Sequence, residues 1–206
     1  MELLRLLSGR CPPLVARVAP VLLLVASAIA AWYLVYDLIV LWDVGANPGF
    51  FAGERLLAYA VFILAPALTF LPIGRGLRIP LYDLEAVAAW STLLFTIAFI
   101  SPGRSPSLLA LLLFAVALTM SLATIFTLIS YAVGFRLLTR RSQRYDFVRA
   151  RREGYLGAIF VVGCVLLAAL SLLTAVNVAV LALIVITLEV LLLSWTGRPS
   201  RRPAES

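Results

Sequence analysis

Long apolar runs alternate along this chain with short stretches that hold nearly all of its charge. The runs cover about residues 18–42, 55–73, 84–100, 107–135, 154–173 and 178–195. A helix needs roughly 20 apolar residues to cross a hydrocarbon core of about 30 Å. Inside that core every backbone N–H and C=O must be bonded internally, which leaves helices and closed barrels. The runs are rich in Leu and Ala and lack the alternation of a barrel strand. The pattern therefore predicts an all-α, polytopic transmembrane bundle of six helices.

The punctuation between runs refines this expectation. Residues 1–17 form a basic segment broken by Pro12 and Pro13. The first run carries two motifs resembling signal-peptide cleavage sites, Ala26-Ser27-Ala28 and Ala28-Ile29-Ala30. A signal h-region spans only about 7–15 residues, and this run continues well past both motifs, so a retained helix is expected. Pro66 lies inside the second run and predicts a kink near Ala65. A Gly-, Arg- and Pro-containing breaker follows over 74–80, and 101–106 reads as a tight turn with Ser105 or Ser107 as N-cap. The fourth run has more residues than a bilayer requires, so it tilts or extends beyond the membrane. Only residues 174–177 separate the last two runs, which predicts a tight helical hairpin. The tail, 196–206, reads as disordered. Six helices also divide into two three-helix halves, which would be inverted relative to each other, as in some transporters.

Composition agrees. The chain has 206 residues, 63% of them hydrophobic and 13% charged, against about 45–50% and about 25% for a soluble domain. The net charge of +7 comes from seventeen arginines without lysine. It sits in the links between runs, so orientation and anionic headgroups account for it and nucleic acid is not expected as a partner. All-arginine usage fits a GC-rich genome and a bacterial inner (plasma) membrane. With no histidine, His-based acid–base catalysis, bis-His haem and most transition-metal sites are excluded. Cys11 and Cys164 are too few for an iron–sulfur cluster or a structural zinc, and they fall at different expected depths, against a disulfide. Arg10 occupies the position before Cys11 where a lipoprotein signal needs a small residue. No cofactor or metal is expected.

Orientation follows from counting. With the N-terminus inside, the inner segments hold fifteen arginines: Arg5, Arg10 and Arg17; Arg75 and Arg78; Arg136, Arg140, Arg141, Arg144, Arg149, Arg151 and Arg152; and Arg198, Arg201 and Arg202. The outer segments hold only Arg55 and Arg104. This asymmetry predicts both termini on the cytoplasmic side. Trp32, Tyr33, Tyr36 and Trp42 then approach the outer interface and Trp195 the inner one. Segment 136–152 places Phe135, Leu138, Tyr145 and Val148 among its arginines. It is expected to form an interfacial helix on anionic lipid, or a dock for an acidic partner.

Glu189 is the deepest acid, six residues before Trp195 and so about 9 Å from that interface. Intramembrane acids are functional candidates by default. Ala175, Ala179, Ala182, Ile186, Glu189 and Leu193 share one helical stripe, and small residues there suggest a packed contact. The hairpin sets Glu189 at the depth of residues 161–164, opposite a stripe of Gly157, Val161, Cys164, Ala168 and Ser171, with Arg136 as the nearest cation. It then either fixes helix packing or carries a proton or cation. Asp37 lies near the outer end of the first run, where an interfacial role competes with an ion or substrate role. Asp83 and Glu85 open the third run. They could hold Mg²⁺ against a lipid phosphate, or complement the helix dipole. Thr119, Ser121, Thr124, Thr127 and Ser130 could line a polar path or bond back to their own helix. Asp43 and Glu54 read as solvated loop charges.

No catalytic motif stands out. The leading expectation is a non-enzymatic accessory or assembly subunit of a membrane complex, in contact with the bilayer, with anionic headgroups and with a membrane-protein partner or further copies of itself. A small transporter or channel built on Glu189 is the alternative, and a lipid-modifying enzyme built on Asp83 and Glu85 the third.

Overall fold

The computed structural model describes residues 13–46, 49–77, 79, 81–100, 107–137 and 147–196. The described residues form six long helices and no strand. These are α1 (Pro13–Tyr36), α2 (Gly53–Leu77), α3 (Tyr82–Phe99), α4 (Leu108–Leu137), α5 (Phe147–Ala169) and α6 (Ala175–Thr196). Five of them, all but α3, are long and apolar enough to cross a membrane. α3 is the shortest, at 18 residues, and carries Asp83 and Glu85 in its first turn. The chain divides into two compact units, 1–106 and 107–206.

In the first unit α2 packs against both α1 and α3. Pro13 is the first helical residue of α1, where a missing N–H costs nothing. The α-helix gives way at Asp37–Leu41 to a π-helical turn, closed by the Trp42 N–H donating to the Asp37 carbonyl at 2.9 Å. That widened turn, followed by a 3-10 turn at Val44–Ala46, has no signature in the apolar periodicity. It seats Leu38 and Val44 in a core with Val35, Ala58, Val61, Phe62, Ala65, Leu94 and Ala98. An aromatic ladder runs alongside: Phe62 meets Phe95 edge-on at 5.6 Å, Phe70 stacks on Trp90 at 6.0 Å, and Trp32 meets Trp90 edge-on at 5.6 Å. Trp32 is half-buried, with its indole N–H donating to the Thr69 hydroxyl at 2.9 Å. Tyr33, Tyr36 and Trp42 do remain exposed. Pro66 and Pro72 both lie within α2, and Thr69 donates its hydroxyl to the Ala65 carbonyl at 3.0 Å.

Arg55 departs from its reading as an outer-loop arginine. It belongs to the first turn of α2 and is only 8% exposed. Its guanidinium lies 5.3 Å from the Phe99 ring centroid and 5.7 Å from that of Phe50, and donates to the Gly45 carbonyl at 3.4 Å. Two aromatic faces thus hold a largely desolvated cation, a contact of up to about 2 kcal/mol per face. Phe50 and Phe99 are far apart in sequence, so no local pattern announces it.

In the second unit α5 packs against α4 along an extensive seam and against α6 along a smaller one. Ser107 caps α4, its hydroxyl accepting the Ala110 N–H at 3.1 Å. The seam is made by small residues: Ala110, Ala117, Ala123 and Ser121 on α4 and Ala150 and Ala158 on α5 are all nearly inaccessible. At Gly154 the backbones come so close that an added Cβ would lie 2.6 Å from the Thr127 nitrogen. In a bilayer, where apolar faces gain nothing by leaving lipid, such close approach is a main source of helix–helix affinity.

Of the basic segment 136–152, expected as an interfacial helix, residues 138–146 lie outside the described residues, and the rest belongs to the flanking helices. Arg136 ends α4, whereas Arg149, Arg151 and Arg152 occupy the first turns of α5, which begins at Phe147 rather than Gly154. The reason is local: residues 147–153 contain no glycine or proline, so nothing interrupts the ladder that continues into the apolar run. Arg140, Arg141 and Arg144 lie outside the described residues, as do the tail from 197 and the expected tight turn 101–106.

The seam yields a paired prediction. Gly154→Ala puts a methyl group onto the Thr127 backbone and should cost about 1–3 kcal/mol. Gly157→Ala, whose Cβ would meet only the Phe126 ring at 3.5 Å, should cost less than about 0.5 kcal/mol. Unfolding midpoints of the two variants in detergent micelles check this order.

Candidate functional site

The turn between α5 and α6 sets the position of Glu189. α5 ends in a left-handed cap at Ser171 (φ 57). The Leu172 N–H reaches the Leu167 carbonyl at 2.8 Å and the Ser171 N–H the Ala168 carbonyl at 3.0 Å, which is the Schellman pattern of bonds. Thr174 then caps α6, its hydroxyl accepting the Asn177 N–H at 3.3 Å, while the Asn177 side-chain amide donates to the Leu172 carbonyl at 2.7 Å. Asn177, expected in the turn, lies in the first turn of α6. The turn is thus centred earlier in the sequence than the apolar runs imply. Gly163 opposes Leu181, with a Cβ on the glycine falling 2.8 Å from that leucine. Glu189, about two turns further along α6, comes level with the first turns of α5 rather than with residues 161–164.

There Glu189 lines a groove of about 310 Å³ with Ala182, Val185 and Ile186 of α6 and Glu153, Leu156, Gly157 and Phe160 of α5. Of the expected small-residue stripe only Gly157 belongs to this groove, and Ala168 and Ser171 are exposed. Arg136, expected to reach Glu189, is exposed at the end of α4, and no ion pair joins them. The carboxylate of Glu189 is half-buried and has no hydrogen-bond or ion-pair partner among the described residues.

The second acid of the groove, Glu153, was not singled out by the sequence. One of its oxygens accepts a short hydrogen bond from the Ser130 hydroxyl of α4. The other lies 3.0 Å from Arg149 Nε. That N–H is poorly aligned for a hydrogen bond, so the contact is an ion pair. The i,i+4 spacing of Arg149 and Glu153 was the available signal. The serine partner on α4 had none.

The remaining candidates are scattered. Asp37 opens the π-turn, half-buried, with Oδ1 out of solvent and without a hydrogen-bond partner. Asp83 accepts the Leu84 N–H at 3.0 Å, a use at the start of α3 that fits the helix-dipole reading. It also lies at a close approach to α2, where a Cβ on Gly74 would lie 2.9 Å from its own Cβ. Glu85 occupies the same first turn. Among the described residues no three His, Cys, Asp or Glu side chains gather as a metal site would require. The hydroxyls of α4 bond mostly to its own carbonyls: Thr119 to Ala115 at 2.7 Å, Ser121 to Ala117 at 2.9 Å, and Thr124 to Ser121 at 2.7 Å. Arg151 lies over the Tyr155 ring at 5.9 Å, and Arg152 is half-buried with its Nε unpaired.

The chain matches no protein-family model, no curated protein and no solved structure. The chemistry therefore has to be read from the groove itself. It combines an apolar lining, one acid already engaged and one acid without a partner.

Glu153 is held from two sides, and the two contacts should differ in worth. Ser130→Ala should cost about 1 kcal/mol, a hydrogen bond to a charged group reduced by the partial exposure of Glu153. Arg149→Gln should cost less than about 0.5 kcal/mol, as exposed i,i+4 pairs do. A double-mutant cycle with Glu153→Gln, read by unfolding in detergent, measures both.

Proposed function

We propose that this chain is an integral membrane protein that crosses the membrane six times, α3 included, with both termini in the cytoplasm of a bacterial cell. Its role in this reading is non-enzymatic, as an accessory or assembly subunit of a larger complex in the plasma membrane. The observation that carries this is α6. None of its apolar span Ala175–Ser194 is buried inside the chain, it packs mainly against α5, and it nevertheless holds an acid, Glu189, in an open groove. A helix packed along one side only, and carrying an acid without a partner among the described residues, fits a surface made for another protein. The arginines Arg136, Arg140, Arg141, Arg144, Arg149, Arg151 and Arg152 contact anionic headgroups on the inner leaflet and fix the orientation.

The transporter reading keeps one observation in its favour: Glu153 and Glu189 line the same groove. Against it, Glu153 is already bonded to Ser130 and Arg149, and the α4 hydroxyls are mostly turned back on their own helix. The lipid-modifying reading gains no support, because Asp83 is engaged with the backbone at the start of α3.

Two measurements test the proposal. In a cysteine-free background, single cysteines at Gly49 and Ser105 should react with an impermeant maleimide from outside, and one at Arg140 only after permeabilisation. Protection of position 105 would remove α3 from the spans, and outside labelling at 140 would reverse the orientation. In native membranes extracted with a gentle polymer, the chain should migrate in an assembly larger than itself. Migration at its own mass would overturn the accessory role.

A further inference from the structure

We infer that the α6 face carrying Glu189 receives a transmembrane helix of a partner protein, and that this helix presents a lysine or arginine level with the carboxylate. This rests on the accessory-subunit reading and names the surface and the chemistry that reading leaves open.

Charge is the main argument. Glu189 is the only ionisable residue in the span Ala175–Ser194. The hydroxyls of that helix are consumed locally, Thr187 donating to the Leu183 carbonyl and Ser194 to that of Leu191, each at 2.7 Å. The other polar group of the groove is Glu153, itself an acid with both oxygens engaged. Arg136 does not reach. An acid at this depth is stabilised by a cation far more than by lipid, and its own chain supplies none among the described residues.

Access is the second argument. Ile186 and Leu193, one turn to either side of Glu189, are 58% and 47% exposed, and Ala182 on the same stripe leaves room for a close approach. A lysine or arginine can lay its aliphatic stem along such a surface and present the charged head to the carboxylate. A second copy of this chain is a poorer occupant. In a two-fold pair each copy offers the same patch, so the two Glu189 carboxylates would face each other.

The test uses the full chain in phosphatidylcholine vesicles with a synthetic Leu/Ala transmembrane peptide of about 23 residues. The peptide carries a single Lys about 9 Å from one end, and its counterparts carry Leu or Glu there. Association is read by energy transfer, and the face by disulfide capture from single cysteines at Ile186 or Leu191. The Lys peptide should bind about tenfold more tightly than the Leu peptide, a difference of about 1.4 kcal/mol. Glu189→Gln should shrink that preference below about twofold, and capture should occur at position 186 and not at 191. Equal binding of the Lys and Leu peptides, or a Lys preference that survives Glu189→Gln, would overturn the inference. So would self-association of the chain that excludes the peptides, which would make a second copy the occupant, and binding of no peptide at all, which would leave the face to acyl chains. If the peptides fail while the chain still migrates in a larger native assembly, the Glu189 surface is wrong and the accessory role stands. If it migrates alone, the accessory role itself falls.

Discussion

An unpaired peptide group in an apolar medium costs several kcal/mol, and most of what this chain does with its polar atoms follows from avoiding that cost. Helices close the backbone in the long runs. Their ends are closed by side chains: Ser107 at α4, Thr174 and Asn177 at α6, Asp83 at α3. The carbonyls at the end of α5 are met by the left-handed turn at Ser171, and Asp37 begins a π-turn that still pairs its carbonyl with the Trp42 N–H. Even the hydroxyls of α4 bond mainly to carbonyls of their own helix. Among the described residues, carboxylate oxygens without a hydrogen-bond partner remain at Asp37, in the π-turn, and at Glu189, in the α5–α6 groove.

The two units meet the packing problem with different residues. The first uses aromatic side chains, which carry large contact areas with few rotatable bonds: Trp32, Phe62, Phe70, Trp90, Phe95 and Phe99 form its ladder, and Arg55 is held against two rings. The second uses absence of side chain. Gly154 against Thr127 and Gly163 against Leu181 bring helices together at distances where a single methyl group would collide. In a bilayer both solutions would rely on van der Waals contact rather than on the hydrophobic effect, because lipid is already apolar.

α6 uses the second solution only at Gly163 and Leu181, and none of its apolar span is buried inside the chain. Its loose seating and its single acid are two sides of one arrangement: a helix packed on all sides would have to answer the charge internally, as Glu153 is answered by Ser130 and Arg149. The functional reading rests on that contrast between two glutamates lining one groove.

The sequence alone determined that the chain is helical and apolar enough for a membrane, and it located six helices, because an apolar run of sufficient length has no other way to close its backbone. It also marked Glu189 as the deepest acid, Ser105 or Ser107 as a cap, and bonding back to their own helix as one of two uses of the α4 hydroxyls. The tertiary structure decided the register. The runs alone set Glu189 opposite residues 161–164; the cap at Ser171 and the early start of α6 moved it to Glu153 and Phe160. Trp32 packed against Trp90 and Thr69, Arg55 was buried between two rings, and the basic residues from 149 to 152 became part of α5. The last of these has a local cause, the unbroken stretch from 147 to 153; the others depend on residues distant in sequence, or on a turn whose left-handed residue is a serine rather than the glycine that usually signals it. Periodicity shows which residues share a face of a helix. Which face meets which neighbour, and at what depth, is fixed only by the turns and by the close contacts between helices.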